Sequence, residues 1–205
     1  MTGAKRSGQA LPSDSIDLST FPSTELSGGE TLYRAHSAQN GPGWFASDDQ
    51  GRFNLRSPNG TAYVGERIDL VIRERFGTIL YSTGLTSTDV SGFMVSVISG
   101  ISGVFADMTT SKAASHGVTI ELTAMQPYEI PQAWAEGLHS AGFDGIRYLP
   151  RFTPGQDAAL AVFGNTGVNP LGTTVREMDG STACKEAGFR VIMKPPDSPD
   201  SLTLI

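Results

Sequence analysis

Between Leu32 and Gly77 the chain gathers side chains that could act together on a charged substrate: Arg34, Arg52, Tyr63 and Glu74, with His36 two residues after the first arginine. Arg52, Tyr63 and Glu74 are evenly spaced, since 63 − 52 and 74 − 63 are both 11. Such a trio suits a site that breaks the glycosidic bond of a dinucleotide. A guanidinium offers a planar fork to pyrophosphate oxygens, and a tyrosine offers a ring to stack with a hydrogen-bonding tip. A carboxylate facing the ribose stabilises the oxocarbenium-like charge that develops as the bond breaks. Each residue also has an ordinary alternative. An arginine in a Gly-Arg-Phe turn is commonly an exposed or ion-paired surface group, and a tyrosine on an apolar strand is commonly core. Glu74 falls between Leu70 and Val71 around a helix axis, away from Glu66, Asp69 and Arg73, so it is not on the plainly solvated face. His36 shares a side of its strand with Arg34, which would put it at the pocket edge.

The elements that must position these groups can be read from period and punctuation. Thr31 to His36 and Thr61 to Val64 read as short strands, the second delivered by the turn-forming Ser57-Pro-Asn-Gly60. Ile68, Val71, Ile72 and Phe76 recur at helical spacing from Glu66 to Phe76, and Gly77 is a stop. Phe93 to Phe105 is apolar with interspersed Ser and Gly and fits either type. Val118 to Leu122 alternates like a strand, and Gln132 to Ala141 looks helical. Gly145 to Leu149 and Ala158 to Phe163 look like paired strands around Thr153-Pro-Gly155, while Thr83 to Ser91 reads as solvated linker or as a loop over the site. Short strands mixed irregularly with few helices argue for an α+β domain rather than a doubly wound one. Residues 1–29, rich in Ser, Gly, Pro and Thr, are expected to be a flexible N-terminal arm that drapes over the domain or stays mobile, and 194–205 a flexible tail, leaving 30–193 as the domain.

Bulk properties narrow the function classes. With 205 residues, 39% of them apolar, the chain can build one substantial core. A net charge of −6 disfavours a direct nucleic-acid partner, which needs clustered Lys and Arg. The single cysteine, Cys184, cannot form an internal disulfide; it reads as structural and fits a reducing cytoplasm. No apolar run is long enough to span a bilayer, so no membrane association is expected. His36, His116 and His139 are too scattered to propose a metal site, and Gly41-Pro-Gly43 lacks the Gly-Lys-Ser/Thr ending of a phosphate-cradling loop.

The order of short motifs resembles the RES-domain family. It runs Tyr-Arg-Ala-His at 33–36, Trp-Phe at 44–45, Gly-Arg-Phe-Asn at 51–54 and Gly-Thr-Ala-Tyr at 60–63, with an acid eleven residues on. Farther along, Phe143-Asp-Gly-Ile-Arg-Tyr148, Arg151 and Ala159-Leu-Ala-Val-Phe163 continue it, and the resemblance covers about 31 to 164. It implies an ADP-ribosyltransferase-like fold, a single α+β domain with a bent mixed sheet. The implied activity is cleavage of the nicotinamide–ribose bond of NAD+ by a glycohydrolase or phosphorylase, the toxin of a bacterial toxin–antitoxin pair. Transfer of ADP-ribose to a protein, or a catalytically impaired NAD-binding module, is the alternative. NAD+ would be the substrate, with no metal; the implied partners are a cognate DNA-binding, Xre-like antitoxin and, in a homodimer, a second copy. Position by position, the resemblance gives Arg34 and Arg52 the phosphates, Tyr63 the nicotinamide or its ribose, and Glu74 the ribosyl cation. One departure stands out: where the family has Ser in Tyr-x-Ser-Arg, this chain has Tyr148-Leu-Pro150-Arg151, so a hydroxyl is missing, and its role falls to Thr153, to another group, or to none.

Overall fold

The computed structural model describes residues 8–13, 15–82 and 84–192. Its frame is a single eight-stranded sheet. The first four of its strands along the chain are β1 (Ser23–Ser27), β2 (Leu32–Ser37), β4 (Asn59–Gly65) and β6 (Phe93–Ser99). They are followed by β7 (Ser102–Asp107), β8 (Gly145–Tyr148), β9 (Ala159–Asn165) and β11 (Thr173–Asp179). Across the sheet the order is β1-β7-β8-β9-β4-β2-β6-β11. Only β7 and β8 run parallel; every other pair in this sheet is antiparallel. Short β3 (Trp44–Phe45) pairs with β10 (Gly167–Val168), and β5 (Leu85–Thr86) pairs with β12 (Val191–Ile192).

Strand alternation gives the sheet two apolar faces. One packs Leu32, Ala62, Val64, Ile98, Phe105 and Leu160 together. The other carries the helices α1 (Ile68–Phe76), α4 (Glu129–Ser140) and α5 (Gly180–Glu186), whose buried residues Leu70, Ile72, Trp134, Leu138 and Ala183 join the larger core. Small α2 (Ile79–Ser82) and α3 (Ser87–Val90) lie between α1 and β6 in the chain. The neighbours β2 and β4 share a single register pair, Tyr33 with Gly65, whereas β4 and β9 match over seven. α1 crosses this sparse junction and starts just beyond Gly65.

Several expectations are met and others corrected. The strands at 31–36, 61–64, 145–149 and 158–163 and the helices at 66–76 and 132–141 are present within a residue or three of their expected ends. Phe93 to Phe105 is a pair of strands broken by Gly100, whose φ of 79° suits the turn. Val118 to Leu122 is not a strand: a 3₁₀ turn occupies Ile120–Thr123, with Val118 and Leu122 buried and Ile120 72% exposed. Burial four residues apart is helical spacing, and it overrides an alternation that had placed all three apolar residues on one face. From 84 to 91 the chain forms β5 and α3 rather than plain linker, with Leu85 buried and a Thr86–Asp89 capping box at the start of α3.

The described part of the expected arm, 8–13 and 15–29, drapes over the domain and is anchored at a few points. β1 forms a sheet edge against β7, Phe21 meets Trp134 and Phe143 edge-on, and Trp134 Nε1 donates to Ala10 O at 2.9 Å. Gln9 donates to Gly117 O and accepts from the Thr119 amide. A few isolated apolar residues thus anchor a segment whose composition is that of a loop. The expected tail, 194–205, lies outside the described residues. No helix among the described residues is long and apolar enough to cross a membrane.

Candidate active site

A cavity of about 440 Å³ opens where α1 crosses the β2–β4 junction. That volume suits a small-molecule site. Ala35 of β2, Tyr63 and Val64 of β4, the 50–54 turn, Tyr128, Tyr148 at the end of β8, and Phe152 line it together with α1. From α1 come Leu70, Val71, Glu74 and Arg75, positions that share one face of the helix, with the apolar pair one turn before the charged pair. Arg52, Tyr63 and Glu74 are therefore brought to one hollow by a turn, a strand and a helix.

Each of the three is tethered to backbone outside its own element. Tyr63 Oη accepts from the Phe53 amide at 2.8 Å and donates to Asn54 Oδ1 at 2.9 Å. Its tip, expected to reach the substrate, instead fixes the turn that carries Arg52, leaving the ring as cavity wall. Burial pushes this phenol well above its ordinary pKa, so it stays protonated. Arg52 Nη1 donates to Met125 O at 2.7 Å, and its guanidinium sits 4.8 Å from the centre of the Tyr128 ring. A Cβ at Gly51, just before it, would fall 2.1 Å from Asn54 Oδ1, so a larger residue there would displace the Asn54 side chain that Tyr63 holds.

Glu74 Oε1 accepts from the Phe152 amide at 2.6 Å. Burial raises its pKa above the usual 4.5, against the amides of Phe152 and Arg151 and the charges of Arg52 and Arg151, which pull it down. A carboxylate with restricted access to water, held by two amides, is an immobile negative charge facing an aromatic chamber.

Arg34 and His36 are not brought to this hollow. Alternation on β2 turns Ala35 toward the cavity, so its two neighbours project from the other face of the sheet, where both are buried. The Nη2 of Arg34 donates to Trp44 O, while Nε and Nη1 have no partner among the described residues, and burial lowers its pKa to about 10. His36 Nδ1 donates to Ser37 O, and Nε2 lies 2.8 Å from Ser96 Oγ, which donates to Glu177. Burial lowers its pKa as well.

Sequence reasoning missed four contributors: Arg75, Tyr128, Tyr148 and Phe152. The helical face that singles out Glu74 also contains Arg75, and Tyr148 sits inside a motif already noted; Tyr128 and Phe152 lie in turns without a periodic signal. The Tyr148 hydroxyl has no hydrogen-bond partner among the described residues, and burial followed by the Glu74 charge pushes its pKa far up. It is therefore a permanent donor at the cavity wall. Pro150 is buried, and Thr153 Oγ1 is buried and unpartnered without lining the cavity, so Thr153 does not replace the missing serine there. Past Pro150 the chain instead presents two backbone amides, those of Arg151 and Phe152, to the Glu74 carboxylate. Cys184 is buried in α5, with its thiol pushed up to about 11 by burial. Among the described residues no group of three or more His, Cys, Asp or Glu is placed to hold a metal ion.

Fold and cavity together define an α+β protein with an aromatic-walled, charge-bearing cleft on the helical face of a mixed sheet. The RES domain family model matches residues 31–175, and the chain belongs to the RES-domain family. Among solved structures, a chain of the M. tuberculosis MbcT–MbcA toxin–antitoxin complex is similar in fold, with a TM-score of 0.61 and 14% identity. The match covers 80% of this chain and 92% of that one. No curated protein matches the sequence.

Proposed function

We propose that this protein degrades NAD+ by breaking the nicotinamide–ribose bond in the 440 Å³ cavity, and that it is the toxin of a toxin–antitoxin pair. The observation that carries the reading is the convergence of Glu74, Arg52 and an aromatic wall on one hollow. Loss of nicotinamide from NAD+ leaves positive charge on the ribose carbon and ring oxygen, and a fixed, poorly hydrated carboxylate stabilises that charge more than it stabilises the ground state. The pyridinium already activates its leaving group, so little general-acid help is needed, in keeping with a cavity whose lining among the described residues includes no histidine. Tyr63, Tyr128, Tyr148 and Phe152 offer ring faces for nicotinamide and adenine, and Arg52 offers a cation to the phosphates.

Support for the toxin role comes from the family and from a structural neighbour that is itself part of a toxin–antitoxin complex. An Xre-like antitoxin would protect the producing cell by covering the mouth of the cavity. Purified protein incubated with NAD+ should release nicotinamide, and product identification with and without phosphate separates hydrolysis from phosphorolysis. Label from radioactive NAD+ appearing on a macromolecule would replace both by ADP-ribosyl transfer. NAD+ that binds and is never consumed would refute the enzymatic reading.

A further inference from the structure

We infer that Arg75 is a second anchor for the phosphate oxygens of the substrate and makes the site favour ligands that carry those phosphates over ligands that lack them. The inference rests on the reading of the cavity as an NAD+ site. Arg75 lines the same cavity as Glu74 and Arg52. Its guanidinium lies 5.1 Å from the centre of the Phe93 ring. A cation held against an aromatic face keeps its N–H donors pointing outward in the ring plane, ready for a planar or tetrahedral anion.

The other arginines of the helix region are committed. Arg67 pairs with Asp69 and Asp157, and Arg73 with Asp69, the Tyr81 hydroxyl and the Phe189 ring. Arg75 has no carboxylate, carbonyl or hydroxyl partner among the described residues, so all five of its donors are available. The other acid in the cavity wall, Asp48, already accepts from the Gln50 amide and from Asn54 Nδ2. Arg75 is solvent-exposed over part of its side chain, and the contacts that cover the rest lower its pKa with no carboxylate to offset them. An anionic ligand would supply a counter-charge. Arg52 spends one nitrogen on Met125 O, and Arg34 lies on the far face, so Arg75 is the group free to complete a two-guanidinium clamp.

The test compares inhibition of nicotinamide release by ADP, which carries the phosphates, and by nicotinamide, which does not. Arg75→Gln should raise the KM for NAD+ and the inhibition constant of ADP by ~10- to 100-fold, the range for a lost charge-assisted contact. The constant for nicotinamide should not move, the loss should fall on KM rather than kcat, and Arg75→Lys should recover part of it. An unchanged ADP constant, or equal losses for ADP and nicotinamide, would overturn the assignment. If the wild-type chain releases no nicotinamide, the catalytic reading fails by itself, and calorimetric titration with ADP then decides on Arg75. Binding by the wild type that Arg75→Gln weakens supports it; no binding, or equal binding by both, overturns it.

Discussion

Replacing Glu74 by Gln changes a charge and almost no volume, which isolates the electrostatic role. The amide oxygen of Gln can still accept from Phe152, now at 2.6 Å from Oε1, so the turn at 151–152 keeps its anchor. A unit charge ~4 Å from a developing cation is worth about 4 kcal/mol at an effective dielectric constant near 20. At ~1.4 kcal/mol per tenfold this corresponds to ~10³ in rate, and partial access to water brings the expected loss in kcat to ~10²- to 10³-fold. The assay is nicotinamide release followed by chromatography across a pH series. Wild-type activity should fall on the acid side through a pKa above 4.5, because only ionised Glu74 stabilises the cation and burial raises its pKa. The variant's residual activity should lack that limb. Stability should move oppositely. Between 4.5 and the raised value the folded state binds more protons at Glu74 than the unfolded chain, so the Glu74 contribution declines as pH rises through that window. Glu74→Gln should therefore be at least as stable as the wild type at neutral pH, with the difference shrinking in acid. Activity within tenfold of the wild type in a folded Glu74→Gln protein would refute the carboxylate's role.

Tyr63→Phe removes two hydrogen bonds and orphans the Phe53 amide, and it should cost roughly 2 kcal/mol in denaturant unfolding while lowering turnover through a displaced Arg52 turn. Tyr148→Phe loses no hydrogen bond to a described residue, so it should leave the melting temperature unchanged while kcat/KM for NAD+ falls ~10-fold through the lost donor to substrate. Phe21→Ala, at a buried contact with Trp134 and Phe143, should destabilise by ~3–5 kcal/mol, which scanning calorimetry would detect and a loosely held arm would not produce. Cys184 should react with a thiol reagent slowly in the native protein and rapidly in denaturant, since burial holds its pKa near 11.

How much could be read beforehand depended on whether a signal was local. The helix 66–76 and the strand 61–64 advertise themselves through period, and with them came Tyr63 and Glu74 on cavity-facing positions. Arg52 was found through a Gly-Arg turn whose tight geometry the Asn54 side chain explains. Arg34 was misplaced because identity and chain position do not say which way a strand faces: Ala35, not Arg34, looks into the cavity. The packed arm was hidden for another reason, since Phe21 and Leu26 are buried by partners more than seventy residues away, beyond any window of periodicity.

The placement of the site follows from the sheet's weakest junction. A sheet paired evenly across β2 and β4 would fill its helical face with side chains from both strands; with Tyr33–Gly65 as their one register pair, room remains beneath α1. Gly65 also permits the close crossing, since a Cβ there would meet Leu70 Cδ2 at 2.6 Å. Around that space three of the polar groups are pinned by another element: Tyr63 by the 53–54 turn, Arg52 by Met125, Glu74 by the amides after Pro150. Such cross-tethering holds charges at fixed positions before any ligand arrives, which is the condition under which a carboxylate lowers a barrier rather than merely attracting a cation. It also implies that substitutions in the 51–54 and 150–152 turns will act on catalysis without touching a reacting atom.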